Sequence, residues 1–153
     1  MTPTRGWLNE QQLATWTAFN RVLARLPAAL EPQLQRDGRL SYMEYHVLAR
    51  LSDQPSWRCR MSALADLAGS ELSRLSHLIR RLELRGLVRR EPDATDGRYT
   101  NAILTDDGQR LLVEIAPAHV DQVRDLVIDS IDDFDFAELE RICLRILDRI
   151  RAG

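Results

Sequence analysis

The chain has 153 residues, enough for one domain with a real hydrophobic core and too few for two independent domains of ordinary size. Apolar residues make up 44% and charged residues 29%, and there is no run of about 18 apolar residues, so the composition indicates neither a disordered chain nor a membrane-spanning one. The N-terminal stretch lacks the apolar segment of a signal peptide, and Cys59 and Cys143 show no disulfide framework. We therefore predict a cytoplasmic protein.

Charge is distributed unevenly along the chain, although the net charge is only −2 and all 21 basic residues are arginine. Between Ser70 and Arg90, six arginines oppose two glutamates, a net charge of +4. Between Thr105 and Glu140, eleven acids oppose two arginines, a net charge of −9. Such a chain can dock on a polyanion with its acidic part facing away, although charged runs are also typical of solvated helix faces.

The N-terminal third predicts two helices. Apolar residues at steps of three and four indicate a long first helix over residues 9–35, bent near Pro27 and ended by Gly38. The stripe suits an internal core or a partner chain equally well. Its members are Leu13, Trp16, Phe19, Leu23, Leu26 and Leu30. Ser41 followed by Glu44 is a capping box, which starts a second helix that runs to about Ser52.

The next segment predicts a loop over residues 53–58 and two further helices. A short third helix covers residues 61–68 and is ended by Gly69. Ser70 is expected to cap a fourth helix over residues 71–85, which ends with Gly86 in the left-handed conformation. The stripe predicted to be buried contains Leu72, Leu75, Leu78, Ile79 and Leu82. Hydrogen-bonding side chains remain on the outer face, namely Ser73, Arg74, Ser76, His77, Arg80 and Arg81.

The C-terminal half begins with a hairpin. Residues 87–91 and 99–104 are short extended candidates, and Pro92, Asp93 and the Asp96-Gly97 pair mark the turn between them. Thr105 is expected to cap a fifth helix with a kink at Pro117, and a sixth helix follows from about Asp135. The predicted order is that of a winged helix-turn-helix, namely a helix, a turn, a second helix with a polar outer face and then a hairpin. In this motif the second helix fits a major groove about 12 Å wide, while the hairpin reaches the minor groove.

The segment MSALADLAGSELSRLSHLIRRLELRGLVRREPDATDGRYTNAILTDDG resembles the DNA-binding core of the multiple antibiotic resistance regulator (MarR) family. The resemblance lies in the spacing of the LAD helix, SRLSHLIRRLE, GLVRR, DGR at the wing tip and LTDDG. It implies a mainly α fold with a small β-hairpin wing, in which residues 41–104 form the DNA-binding lobe and residues 9–37 and 105–151 form a helical dimerisation lobe. It also implies a homodimeric repressor or activator that binds a pseudo-palindromic site in double-stranded DNA, and for this chain we favour a repressor.

Site residues follow from the resemblance by position. The recognition helix and its approach would contribute Ser70, Ser73, Arg74, Ser76, His77 and Arg80. The wing would contribute Arg98, with Asp96 orienting it. A small aromatic effector that weakens DNA binding would bind between the lobes, where the candidate residues are Trp16, Tyr42, His46 and His119.

Two other classes of function are alternatives to a DNA-binding regulator. A winged fold with long apolar helices can also bind another protein without touching DNA, and the acidic wing and flanking helices favour that alternative. An enzyme is not expected, because no nucleophile with a paired base, glycine-rich phosphate loop or carboxylate dyad can be placed. The three histidines and two cysteines lack metal-ligand spacing, so we predict no metal and no cofactor.

Overall fold

A computed structural model describes residues 6–153, which form six α-helices and three β-strands. The helices are α1 (Glu10–Gly38), α2 (Tyr42–Ser52), α3 (Met61–Leu67), α4 (Leu72–Leu84), α5 (Asp106–Leu126) and α6 (Asp133–Ala152). The strands are β1 (Arg58–Arg60), β2 (Val88–Pro92) and β3 (Thr100–Leu104). Single 3₁₀ turns lie at Pro55–Trp57 and Ile128–Ser130. This mainly α fold with a small antiparallel sheet confirms the predicted class.

Local signals set both ends of α1 and the start of α2. Asn9 caps α1 in a capping box with Gln12, and the helix continues through both of its internal prolines. Arg39 closes it in the left-handed region, at φ 52°. The predicted capping box of α2 is confirmed, because the Glu44 N–H donates to Ser41 Oγ at 3.1 Å and the Ser41 N–H donates to Glu44 Oε2 at 2.8 Å.

The sheet has the order β1-β3-β2, with both neighbouring pairs antiparallel. Strands β2 and β3 are the predicted hairpin. The predicted loop over residues 53–58 was wrong at its end, because Arg58 begins β1, which pairs Cys59 with Ala102. Three residues are too few to show a period of two, and β1 exists because β3 offers it a free edge.

Two compact units make up the described chain, one ending at Ile115 and the other formed by Ala116–Gly153. In the first unit, α4 contributes its apolar stripe to a core whose centre is fully buried. Core side chains with 0% exposure include Leu34, Leu40, Leu48, Leu51, Leu64, Leu75, Ile79 and Leu82. In the second unit, no residue of α6 is buried in the single chain. None of the helices in the described range is long and apolar enough to cross a membrane.

The predicted capping role of Ser70 was wrong. Helix α4 begins at Leu72, and its N-cap residue Glu71 makes no side-chain capping bond. The Ser70 N–H instead donates to the Ala65 carbonyl at 2.9 Å, and the Gly69 N–H donates to the Asp66 carbonyl at 3.1 Å. This pair of bonds is the Schellman motif, in which a left-handed glycine ends the preceding helix, so Ser70 belongs to the end of α3.

Gly108 provides a test of the packing between α5 and the sheet. A Cβ at Gly108 would overlap the Leu87 carbonyl and lie 2.6 Å from Leu104 Cδ1. We expect Gly108→Ala to lower the free energy of unfolding by about 1–3 kcal/mol, because the overlap outweighs the better helix propensity of alanine. Urea denaturation measures this, with Gly97→Ala as the control, since a Cβ there would meet nothing within 4 Å. A Gly108→Ala variant as stable as the parent would contradict this packing.

Candidate nucleic-acid interface

The outer face of α4 is a continuous stripe of hydrogen-bonding side chains. Leu75, Leu78, Ile79 and Leu82 are at most 6% exposed and turn one side of the helix into the core. Because helical positions three and four apart share a face, the opposite side is left to solvent. Its exposed members are Ser73, Arg74, His77 and Arg80, while Ser76 and the preceding Ser70 are half-buried. The structure therefore brings together all six candidates from this part of the chain.

Arg98 stands at the tip of the hairpin with 82% of its side chain exposed. Its guanidinium is held by Asp96 through two edges, Nε donating to Oδ1 at 3.0 Å and Nη2 donating to Oδ2 at 2.6 Å. The Arg98 N–H also donates to Oδ1, at 3.1 Å. These bonds from Arg98 lower the pKa of Asp96. The expected contact between the two residues is therefore present, and it presets the direction of the guanidinium.

Asp93, predicted as one of the residues that mark the turn, also organises that turn through a network of hydrogen bonds that the sequence does not show. Its Oδ1 accepts the Thr95 hydroxyl at 2.6 Å, the Thr95 N–H at 3.0 Å and the Asp96 N–H at 3.2 Å. Its Oδ2 accepts Arg60 Nε at 3.1 Å and Asn101 Nδ2 at 3.2 Å. Hydrogen bonds from Thr95 and then Arg60 hold the pKa of Asp93 well below its usual value. Asp-Ala-Thr is a local turn signal of the kind that could have revealed part of this network.

Arg60 and Tyr99 form a second support beneath the wing. The Arg60 guanidinium carbon lies 4.4 Å from the centre of the Tyr99 ring, and that of Arg98 lies 5.9 Å from it. An aromatic face attracts a cation at such distances. The Arg60 contact was not predictable without β1, since it is this strand that brings residue 60 beside the hairpin.

The acids of the wing are all paired with arginines. Glu91 contacts Arg58 at 2.5 Å and also Arg89, while Asp93 and Asp96 are bound as described above. Paired carboxylates project less negative potential than isolated ones. The acid-rich composition of the wing is therefore only a weak argument against binding of a polyanion by the wing.

The four candidate ligand residues occupy different surroundings. Tyr42 and His46 lie together on α2, with ring centres 4.3 Å apart, and burial raises the pKa of Tyr42. Trp16 is half exposed on α1 and lies 6.4 Å from Phe19 between ring centres. His119 is buried in the second unit, where burial lowers its pKa. A ligand role for these residues stays a prediction.

The exposed donor face of α4, the arginine-tipped hairpin and the three-stranded sheet together define a winged helix-turn-helix protein. The model of the MarR family matches residues 40–98. The regulator PecS of Dickeya dadantii is 31% identical over 130 residues, 84% of this chain and 74% of PecS. The fold is also similar to the crystal structure of Sco3205, a MarR family regulator of Streptomyces coelicolor, in complex with DNA, with a TM-score of 0.89. The two sequences are 37% identical, and the match covers 96% of this chain and 91% of the Sco3205 chain.

This chain belongs to the MarR family, which consists of transcriptional regulators and not enzymes. The regulator HosA of Escherichia coli is also similar, at 36% identity over 78 residues, 51% of this chain. That match spans only 56% of the length of HosA.

The wing network can be tested through the Asp93 carboxylate. We expect Asp93→Ala to raise the rate of tryptic cleavage after Arg98 several-fold, because the turn loses the acceptor of five hydrogen bonds. Mass spectrometry of the 1–98 fragment under native conditions measures that rate. Asp107→Ala, which removes an exposed partner of Arg110 outside the wing, serves as the control. Equal cleavage of the Asp93→Ala variant and the parent would show that Asp93 does not order the tip.

Proposed function

We propose that this protein is a homodimeric, sequence-specific DNA-binding transcriptional regulator, and specifically a repressor. The observation that carries the proposal is the exposed donor stripe of α4 beside a guanidinium held in place at the wing tip. A helix of this kind fits the major groove, and an arginine suits the narrow, electronegative minor groove. The similarity to Sco3205, whose structure contains DNA, supports this use of the two elements.

Each side chain of the interface then has a different task. Arg74 can donate two parallel bonds to guanine, whereas Ser73, Ser76 and His77 can bond base edges or phosphates. Arg80 lies farther along the same face and suits a phosphate, and Ser70 lies beside the start of the helix. In the wing, Arg98 adds affinity that depends little on sequence, and Asp96 fixes its direction.

Dimerisation is inferred from apolar side chains that the single chain leaves exposed on its terminal helices. On α6, Phe134 is 76% and Ile150 is 69% exposed, and on α1 Leu13 and Trp16 are each 54% exposed. Apolar faces of this extent at helical spacing mark an association surface. We propose residues 9–37 and 105–151 as the dimerisation lobe and residues 41–104 as the DNA-binding lobe. Two-fold symmetry then sets the half-site centres roughly 34 Å apart.

We further propose that a small aromatic ligand releases the regulator from DNA. Tyr42 and His46 already form an aromatic pair. A ligand cleft combines an apolar wall with a few polar groups, and the imidazole and the phenol of this pair supply such groups. Trp16 and His119 stay predictions.

Two arginine variants test the DNA-binding surface. Selection from a random pool of duplexes should first yield a pseudo-palindromic operator. On that operator, we expect Arg74→Ala to weaken binding by about 1–3 kcal/mol and to relax preference at one base position. We expect Arg98→Ala to weaken binding on all sequences and to lower the slope of log affinity against log salt by about one. Gel-shift titrations at several salt concentrations measure both effects.

Arg110→Ala is the matched control, since it removes the same charge from an exposed arginine on α5, paired with Asp107. The DNA contacts would be refuted if Arg74→Ala and Arg98→Ala bound as Arg110→Ala does. A chain that associates with no duplex at low salt would instead support the alternative, a winged-helix module that binds only proteins.

A single charge on α6 tests the dimer. Ile146 is 38% exposed in the single chain, and we expect Ile146→Glu to shift the protein from dimer to monomer because it places a carboxylate in the apolar surface. Sedimentation equilibrium measures the shift. Leu84→Glu makes the same change at an 82% exposed site on α4 and should leave the dimer intact. A parent protein that sediments as a monomer would contradict the dimer directly.

A further inference from the structure

A groove of about 350 Å³ runs along the side of α4 towards the start of α2. It is rich in hydrogen-bond donors, with two hydroxyls, two guanidiniums and an imidazole among its lining groups. The lining residues are Ser41, Met43, Ser70, Arg74, His77, Leu78 and Arg81. Among the described residues no carboxylate lines it. A concave surface with this chemistry suits a phosphate group.

The position of Arg81 in this groove is fixed from behind by a buried acid. Glu44, whose side chain is 11% exposed, accepts Arg81 Nε at its Oε1 atom at 3.0 Å. Its other oxygen, Oε2, accepts the Ser41 N–H at 2.8 Å. The Arg81 side chain nevertheless stays 59% exposed. One edge of the guanidinium is therefore held by Glu44 while the group still lines the groove.

A second arginine secures the two walls of the groove to each other. Arg85 donates from Nη1 to the Arg39 carbonyl and from Nη2 to the Gly38 carbonyl, both at 2.8 Å. These carbonyls belong to the corner between α1 and α2, just before Ser41. The end of α4 is therefore fixed at two points, through Arg85 to that corner and through Arg81 to Glu44 in the first turn of α2. Because the walls of the groove are already fixed, a ligand that binds there does not have to pay for ordering them.

We propose that this groove binds a backbone phosphate of the operator, and that Glu44 is a positioning residue that holds Arg81 for that contact. The proposal rests on the proposed function. The groove shares Arg74 and His77 with the exposed face of α4, so a duplex that receives this face in its major groove brings the bordering strand to Ser41 and Arg81. The phosphates of that strand are the anions nearest to the groove.

The effect of Glu44 on affinity distinguishes positioning from simple electrostatics. Removal of a negative charge close to DNA should strengthen binding if charge alone mattered. If Glu44 positions Arg81, its removal instead lets a long side chain move, and binding must order that side chain again. Ordering one such side chain corresponds to roughly a 2- to 10-fold loss of affinity.

Glu44→Gln is the central variant, because glutamine also closes a capping box and so preserves the start of α2. We expect it to reduce operator affinity roughly 2- to 10-fold although it makes the protein more positive. Arg81→Met should reduce affinity and lower the salt slope by about one. The double variant should bind no more weakly than Arg81→Met, since Glu44 acts through Arg81. Glu114→Gln makes the same charge change on an exposed part of α5 and should not weaken binding.

A set of operator duplexes, each with one neutral methylphosphonate linkage, locates the phosphate. The parent should lose affinity at one linkage beside the major groove, and Arg81→Met should be insensitive at that linkage. Urea denaturation of every variant separates folding from binding. If Glu44→Gln proves less stable, Arg81→Met, which leaves the capping box intact, tests the phosphate contact through the salt slope and the methylphosphonate series.

The inference is overturned if Glu44→Gln binds as tightly as the parent and Arg81→Met keeps the full salt slope, while Arg74→Ala still loses affinity. In that case DNA binding stands and the groove is not part of it. Failure of the parent to bind any duplex would instead reject the proposed function. The groove could instead bind a free phosphate ion, and titration with inorganic phosphate in the absence of DNA tests this. If phosphate binds in a manner that depends on Arg81, and no methylphosphonate linkage lowers operator affinity, the ligand of the groove is a free phosphate and not one of the operator.

Discussion

The burial of one stripe of α4 sets the positions of every candidate residue on that helix. Leu75, Ile79 and Leu82 are completely buried, and no rotation of the helix could expose them without opening the core of the first unit. Because the helix is rigid, the direction of Arg74 and Arg80 follows from where these leucines and the isoleucine pack. Recognition chemistry on this surface therefore depends on core packing that never touches a ligand. A substitution that leaves a cavity in the core would therefore move the exposed side chains of α4 without replacing any of them.

The arginines of the basic segment serve two separate purposes. Arg85 bonds two backbone carbonyls at the α1–α2 corner, and Arg90 binds Glu83 through Nε and through Nη2, the latter at 2.7 Å. Such forked contacts suit a planar guanidinium and cannot be reproduced by a lysine ammonium. Arg74 and Arg80 are exposed on the outer face of α4. The net charge of +4 counted over Ser70–Arg90 nevertheless overstates the charge available to a partner, because Arg81 and Arg89 pair with Glu44 and Glu91, two acids outside that segment.

Features with local causes could be predicted from the sequence. The capping box at Ser41, the helix ends at Gly69 and Gly86 and most of the buried stripe of α4 each depend on residues within a few positions. The Thr105 cap of α5 is likewise present, with its hydroxyl accepting the Gly108 N–H at 3.1 Å. Leu72, the first residue of α4, was wrongly predicted to belong to that stripe and is 51% exposed.

Features that depend on distant pairing could not be predicted in this way. Strand β1 needs the edge of β3, and the bond between Arg60 and Asp93 joins residues 33 positions apart. The bond between Glu44 and Arg81 spans 37 positions and carries no sequence signature. Ser70 was misassigned for a related reason: a serine before a helical stripe is typical of an N-cap, but here its N–H completes the motif that ends α3. Capping competes with the preceding turn, and sequence spacing does not show which one is satisfied.

Charge pairing in the wing makes association of two copies more important to the proposed function. Since Glu91, Asp93 and Asp96 each bind an arginine, one wing presents little net positive charge. A single copy would therefore rely on a few contacts from α4 and the tip, and such a set gives weak, salt-sensitive binding. Two copies joined through apolar helices convert the second half-site contact into an intramolecular one, which raises affinity without any new contact. Under the proposed function, the apolar residues exposed on α6 would therefore compensate for the modest charge of the wing, because they would join two half-site contacts that are each weak alone.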